Sequence, residues 1–316
     1  DAVHILNRNQ GGWPASIWMT PDGKPFFAGT YFPPETQQGR PGFLELLQRI
    51  RGDWTTKPEA MHGFADKTGK RIVERAKNQG LGVVPKGTAA DAVRRLLGSW
   101  SSVHRGWGTR NQFPMTPVLH FMLWHSVMSD DDNAASLVAG QLAAMDEGGI
   151  HDHLGGGFHR YTVDPSWTVP HFEKMLYDNG QLLATYAEAA VAYKSARFAQ
   201  VADDIGAYLL GQMQHPDGGF YSSQSAESKD GEGAYYVWKQ DEITQVLSDP
   251  ADFFRAYPFQ TNGNFDGSRT VLNRAADVDP ETAPLQNARE QLLVARQNET
   301  SHPPTKNWSW PGMDSP

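Results

Sequence analysis

Residues 151–179, HDHLGGGFHRYTVDPSWTVPHFEKMLYDN, concentrate the side chains that do chemistry. His151, His153, His159 and His171 stand close together, four of the 11 histidines in the chain. Imidazole changes charge nearest neutral pH, so such a cluster suits proton transfer or ligand binding. Arg160 and Lys174 add an anion clamp, Glu173 and Asp178 add carboxylates, and Tyr177 adds a phenol. The run Gly155-Gly156-Gly157 lets backbone come close to something, either another loop or a ligand. A structural reading competes residue by residue: a histidine in an aromatic loop often serves as a hydrogen-bonded packing group, and Tyr-Asp-Asn can simply tie a loop to a helix end. His151-x-His153 with His159 or His171 offers nitrogens to zinc, but the Gly-rich spacing lacks the helical H-E-x-x-H arrangement. No metal and no cofactor are assigned.

A second cluster lies in residues 215–243, HPDGGFYSSQSAESKDGEGAYYVWKQDEI. Asp217, Glu227, Asp230 and Glu232 surround Ser222, Ser223 and Ser225, and Tyr235, Tyr236 and Trp238 follow. Carboxylates beside aromatic rings suit carbohydrate, because rings stack on sugar faces while acids hold hydroxyls or move protons. The alternative is a solvated acidic loop. No G-x-S-x-G elbow and no G-x-x-x-x-G-K-[ST] loop occurs, so serine-hydrolase and P-loop chemistry have no support.

Composition narrows the classes further. With 316 residues, 39% apolar and 20% charged, the chain is globular in type and long enough for a sizeable core. Its net charge is −8, its pI is near 5.7, and its basic residues form no long run, which argues against nucleic acid and anionic membrane as partners. No stretch approaches the roughly 18 apolar residues of a membrane span. Cysteine is absent, which removes disulfides, thiolate catalysis and cysteine-bound zinc from the residues in hand. The expected location is the cytoplasm.

The elements that must position these groups follow from periodicity and turn chemistry. Residues 13–33 read as a β-hairpin: Ser16–Met19, a Thr20-Pro21-Asp22-Gly23 turn, then Pro25–Tyr31. Helical patterns occupy Phe43–Trp54 and Met61–Lys77, and Asn78-Gln79-Gly80-Leu81-Gly82 followed by Pro85 is linker-like. From Thr88 the pattern is helical, near 89–103, 115–128, 133–147, 170–195, 197–214 and 240–248, with no convincing strands between. Pro170 suits the first turn of a helix starting near His171. On that helix His171, Lys174 and Asp178 would form one polar stripe, beside an apolar stripe of Phe172, Met175, Leu176, Leu183 and Tyr186.

A Gly-aromatic element recurs at Trp107, Phe158, Phe220 and Phe265, spaced widely enough for two helices plus loops. Helical hairpins repeated in this way can close into a ring of six, the α/α toroid, with about three hairpins present here. A chance recurrence of Gly-aromatic turns is the alternative. The polar stripe would face the mouth of the toroid.

Three segments carry a resemblance: residues 11–34 (GGWPASIWMTPDGKPFFAGTYFPP), residues 151–182 (HDHLGGGFHRYTVDPSWTVPHFEKMLYDNGQL) and residues 225–238 (SAESKDGEGAYYVW). In order and spacing, from about residue 1 to 298, the chain resembles the YyaL-type bacterial proteins related to spermatogenesis-associated protein 20. The resemblance implies a mainly α chain. In it the C-terminal part of a thioredoxin-like α/β domain precedes a partial (α/α)6 toroid, similar to six-hairpin glycosidases and N-acylglucosamine 2-epimerases. The expected boundaries are 1–80 for the thioredoxin-like part, 81–88 for a linker, 89–298 for half of the toroid, and 299–316 for an aberrant tail. Pro14 matches the family's cis-proline position.

Both ends depart from the family pattern. Asp1 opens directly in strand-like sequence, so the Trp-Cys-His motif of the family is expected upstream, and no thioredoxin-like redox chemistry is expected of these residues. After Ala295-Arg296 the family runs into a Trp-Asn-Gly-Leu segment, where this chain has SHPPTKNWSWPGMDSP. His302–Pro316 can be encoded so that the frame two bases on reads Pro-Ala-Asp-Glu-Glu-Leu-Val-Leu-Ala-Trp-Asn-Gly-Leu-Ala. A frameshift near residue 300 is therefore expected.

The function expected is that of an enzyme, or the remnant of one, acting on a sugar or sugar-like ligand, as an epimerase/isomerase or a glycoside hydrolase-like enzyme. His153, His159, His171, Glu173 and Asp178 are the proton-transfer candidates. Arg160, Tyr161, Trp167, Lys174, Tyr177, Asn179, Glu227, Tyr236 and Trp238 are the ligand-holding candidates, with Pro14 and Gly155, Gly156 and Gly157 structural. The alternative is a non-catalytic ligand-binding or partner-docking protein. A ring cut at three hairpins would expose apolar edges, so self-association is also expected.

Overall fold

Gly23, with φ +80°, closes a four-residue turn in which Thr20 Oγ1 donates to Asp22 and accepts the Lys24 amide. That turn joins β1 (Ser16–Met19) to β2 (Pro25–Gly29) in antiparallel register, Ser16 opposite Gly29. The computed structural model describes residues 6, 15–37, 39–77, 84–299 and 302–306. Pro14 and most of the tail expected to be aberrant lie outside the described residues. The chain divides into two units, Asp1–Lys86 and Gly87–Pro316.

In the first unit α1 (Phe43–Thr56) and α2 (Pro58–Lys77) pack on each other, and α2 also packs on β2. The Trp18 ring meets Phe27, Phe32 and Phe43, and Phe26 meets Trp54, so the aromatic hairpin supplies most of this small core. Lys24 ties the turn to α2 through Asp66 at 2.7 Å.

The second unit is built on helical hairpins. α3 (Thr88–Ser99) packs on α5 (Asp132–Glu147), and α4 (Thr116–Ser129) packs on both α5 and α6 (Leu176–Ala192). In turn α6 packs on α7 (Ala196–Tyr208), which runs on as a π-helix over Leu209–Met213. Further along, α8 (Gln240–Val246) and α9 (Ala251–Ala256) pack on α10 (Ala283–Glu299). These helical hairpins occupy the segment expected to form a partial α/α toroid. Pro117 in the first turn starts α4, and the side chains of Asp131 and Ser195 cap α5 and α7. Leu119, Met122, Leu142, Met145, Leu182, Tyr186, Val201 and Ile205 are fully buried where these helices meet. Each such side chain contributes about 1.5–3 kcal/mol by leaving water.

Short antiparallel strands connect the helices. β3 (Tyr161–Thr162) pairs with β4 (Pro170–His171), and β5 (Lys174–Met175) pairs with β6 (Ser223–Gln224). Beyond them, β7 (Glu227–Ser228) pairs with β8 (Gly231–Glu232), β9 (Val237–Trp238) with β10 (Thr270–Val271), and β11 (Thr305–Lys306) with β6. These pairings correct the helix expected from His171. Pro170–His171 and Lys174–Met175 bond to other segments as strands, so α6 begins only at Leu176 and the stripe of His171, Lys174 and Asp178 does not form.

The Gly-aromatic elements are also not equivalent. Phe158 is fully buried between His151 and Tyr186, whereas Phe220 is exposed. At Gly157, with φ +73°, an added Cβ would stand 2.4 Å from the Tyr208 ring, so the triple glycine admits α7 rather than a ligand. Asn179, on the first turn of α6, accepts the Phe158 amide at 2.7 Å and donates to the Phe158 and Met175 carbonyls. Asn179→Ala should strand at least two buried backbone groups and cost about 3 kcal/mol in urea unfolding. A loss under about 1 kcal/mol would show that this pin is dispensable.

Candidate functional site

The interior of the histidine-rich segment is organised by two buried carboxylates absent from the residues singled out above. Asp152 accepts two hydrogen bonds from Arg296, at 2.9 and 3.0 Å, and one from Lys174 Nζ at 2.8 Å. Lys174 also donates to the Gly156 carbonyl and lies 4.4 Å from the Tyr208 ring centre, while Arg296 stacks over Tyr235. Burial opposes the Asp152 charge, but Arg296 and Lys174 outweigh it and hold the carboxyl well below the usual range. Burial pushes the Lys174 ammonium down to about 8 against the pull of Asp152. Asp146 repeats the arrangement with Arg197 at 2.6 Å and Arg274 at 2.5 Å, and His151 stands 3.4 Å away. Here too burial is overcome, by Arg197 and His151, and the carboxyl is lowered.

Much of the expected proton-transfer and ligand-holding set belongs to this interior. His153 Nε2 donates to the Gly148 carbonyl at 3.0 Å, and His159 Nδ1 to the Phe172 carbonyl at 2.9 Å. Burial, with a neighbouring His151, depresses His153 well below its ordinary value; burial, with Lys174, takes His159 to about 3. Both rings are therefore neutral and closed off from solvent. Trp167 is buried with Nε1 donating to the His104 and Arg105 carbonyls, and Tyr236 donates to Gln224. Lys174, Asn179 and Trp238 are buried as well. In the structure these side chains are packed in the interior of the unit. Among the described residues no three His, Asp or Glu side chains are placed to share a metal ion.

The sign of the pH dependence follows from the two histidines. Their folded pKa values lie below the unfolded value of about 6.5, so the unfolded chain binds protons that the native chain refuses. Stability should fall as pH drops below about 6.5, by up to ~1.4 kcal/mol per histidine per pH unit. The depressed Asp146 and Asp152 add a further loss below about pH 4. Urea midpoints that do not change between pH 7 and pH 5 would contradict this.

The accessible chemistry is on the rim. Tyr161 sits opposite His171 in the β3–β4 pair, and the Arg160 amide donates to the Glu173 carbonyl at 2.9 Å. Strand alternation then turns Phe172 and Lys174 inward, leaving His171 and Glu173 partly exposed. Arg160 Nη1 pairs with Glu173 at 3.2 Å, His171 Nδ1 lies 3.6 Å from Glu232, and Glu227 is exposed opposite Glu232 in the β7–β8 pair. Tyr161 stacks on Phe113, which is 45% exposed, so the two rings offer a platform of which the sequence reading named only Tyr161.

Asp178 and Tyr177 reach this rim from the first turn of α6. Burial raises Asp178 to about 6, with Glu173 reinforcing and Arg160 opposing. Its Oδ2 is buried without a hydrogen-bond partner. A carboxyl in this state exchanges a proton near neutral pH and has a lone pair uncommitted.

Comparison with known proteins extends the N-terminal and whole-chain readings. Residues 1–73 match the model of the Thioredox_DsbH family, a protein of unknown function, DUF255. Spermatogenesis-associated protein 20 of Homo sapiens is 34% identical over 288 residues, 87% of this chain and 36% of that protein. Its Mus musculus counterpart is 35% identical over 254 residues, 76% of this chain and 32% of the other. The chain is a relative of spermatogenesis-associated protein 20. It spans about a third of the length of these curated relatives. The N-terminal unit is thus thioredoxin-like, and the resemblance carried by the three motifs holds along most of the chain. Among solved structures, cellobiose 2-epimerase from Spirochaeta thermophila DSM 6192 is 14% identical with a TM-score of 0.37, over 46% of this chain and 42% of that one, a likeness too slight to carry a functional argument. Among the described residues no helix is long and apolar enough to cross a membrane.

A carbon-13 titration of the Asp178 carboxyl should give a midpoint near 6. Glu173→Gln should lower that midpoint and Arg160→Met should raise it, since one neighbour opposes ionisation and the other favours it. A midpoint near 4 in all three proteins would remove Asp178 from consideration as an acid.

Proposed function

We propose that the second unit binds a sugar or sugar-like ligand on the Arg160–Asp178 rim and transfers a proton there, with Asp178 as the acid. The observation that carries this reading is the half-buried Asp178 carboxyl, raised to about 6 and with one oxygen unpartnered. A protonated carboxyl can donate to a sugar oxygen, and its conjugate base can accept a proton from carbon or water. The Phe113–Tyr161 stack supplies an aromatic face for the C–H side of a pyranose. The Arg160–Glu173 pair supplies donors and acceptors for hydroxyls, and His171 beside Glu232 is the second proton-handling group.

Two reaction classes use such a set, an epimerase/isomerase and a glycoside hydrolase-like enzyme. Both need an acid and a base about the substrate, and they differ in product: an epimerase or isomerase exchanges a carbon-bound hydrogen with solvent, whereas a hydrolase releases a new reducing end.

The test is incubation of the protein with aldoses and disaccharides in D2O, followed by proton NMR. Turnover should lose its acid-dependent limb above about pH 6 and fall about 10²–10⁴-fold in Asp178→Asn, with ligand binding retained. Deuterium at carbon supports the epimerase/isomerase class and new reducing ends support the hydrolase class. Binding without turnover at any pH would overturn the acid role and leave a binding module. Failure of every sugar to bind would overturn the reading as a whole.

A further inference from the structure

A cavity of ≈ 10 Å³ lies in the interior of the second unit, where the histidine-rich segment meets Val271 of β10, Leu272 and Arg296 of α10. Every residue that lines it is buried. Its polar lining is His151, Asp152, His153, His159, Tyr236 and Arg296, and Gly149, Val271 and Leu272 complete the wall. A space of this size holds about one water molecule and is too small for a sugar, which sets it apart from the Arg160–Asp178 rim.

Most polar groups of the lining are already committed. Both oxygens of Asp152 are held by Arg296 and Lys174, the Tyr236 hydroxyl donates to Gln224, and the Gly149 amide donates to Asn273 at 2.8 Å. His153 donates through Nε2 to the Gly148 carbonyl and His159 through Nδ1 to the Phe172 carbonyl, and neither carbonyl belongs to the lining. His151 is different. Its Nδ1 stands 3.4 Å from Asp146, which is outside the lining, and its ring lies flat on Phe158 with the centres 4.6 Å apart. The stack fixes the ring, so Nε2 cannot turn to another group. That atom is buried and has no hydrogen-bond partner among the described residues. Buried polar atoms in folded proteins nearly always have a partner, and where the protein supplies none an ordered water does.

Charge decides among occupants of this size. Lys174 and Arg296 place two positive charges against the one negative charge of Asp152, so a small cation such as ammonium would be repelled. The neutral rings of His153 and His159 each keep a lone pair on the second nitrogen, which would repel an anion. Water is neutral, and it can both donate and accept. The ring centres of His151 and His153 are 5.0 Å apart, a spacing that one bridging molecule spans. We propose that this cavity is a specific site for one water molecule, hydrogen-bonded to His151 Nε2 and bridging it to the second nitrogen of His153. The water joins the two ionic clamps, since His151 lies against Asp146 and the same cavity is lined by Asp152 and Arg296.

The site can be tested on the full chain by crystallography after a bromide soak and by water–protein NOE spectroscopy. The crystal should show a density peak about 3 Å from His151 Nε2 with no bromide signal at that place. The ring protons of His151 and His153 should give cross-peaks to water, with the sign of a molecule that tumbles with the protein. His151→Phe keeps the stack on Phe158 and removes the nitrogen, so oxygen-17 relaxation dispersion should count one long-lived water fewer, with circular dichroism showing that the variant folds. Should that variant fail to fold, the crystal and the cross-peaks of the unaltered protein decide. Bromide in the cavity, a cavity without density and without water cross-peaks, or an unchanged count of long-lived waters in folded His151→Phe would overturn the proposal.

Discussion

The second unit depends on one buried carboxylate. Asp152 is held by Lys174 from a strand and by Arg296 from α10, a residue 144 positions further along the chain. Removing a charged group from water is costly, and the attraction compensates only where the geometry is good and every lone pair is used. Here both carboxylate oxygens are used, and the rings of Tyr208 and Tyr235 face the two cations. Loss of Asp152 would leave two cations in the interior without a counter-ion. Asp146 does the same work one turn earlier, joining the end of α5 to Arg197 and to Arg274, so two ionic clamps bind the early hairpins to the later part of the unit.

These clamps also decide where the reactive groups stand. Lys174 reaches Asp152 because residues 174 and 175 pair with Ser223 and Gln224 as a strand. In a strand successive side chains point to opposite faces. Sending Lys174 inward therefore sends Glu173 outward, where Arg160 meets it. The helix can then begin only at Leu176, which brings Tyr177 and Asp178 to the same rim from a different element. The rim is a consequence of how the interior is neutralised.

Histidine in this segment is divided by burial rather than by sequence position. His153 and His159 are enclosed, donate to backbone carbonyls and stay neutral, whereas His171 remains partly exposed beside a carboxylate. The rim also carries Asp178, whose carboxyl is raised by burial and is not claimed by a cation at hydrogen-bonding distance. Residue type alone points to imidazole for proton transfer, whereas burial decides which of these groups reach solvent.

By itself the sequence determined what depends on near neighbours. The Thr20–Gly23 turn, the hairpin around it, and the helices near 116–129, 132–147 and 196–208 are set by turn residues, caps and apolar periodicity, all legible within a few positions. The mainly helical, hairpin-built character of the second unit and the chemical density of residues 151–179 were legible for the same reason. Tertiary structure alone decided the rest. Asp152 and Arg296 carry no signal in common until the chain brings them together, and Phe113 is unremarkable in sequence until it stacks on Tyr161. The strand at Lys174–Met175 also overrode a helical pattern, because its hydrogen bonds go to residues almost fifty positions away. Periodicity records which face of a segment is buried; it does not record what that face will meet.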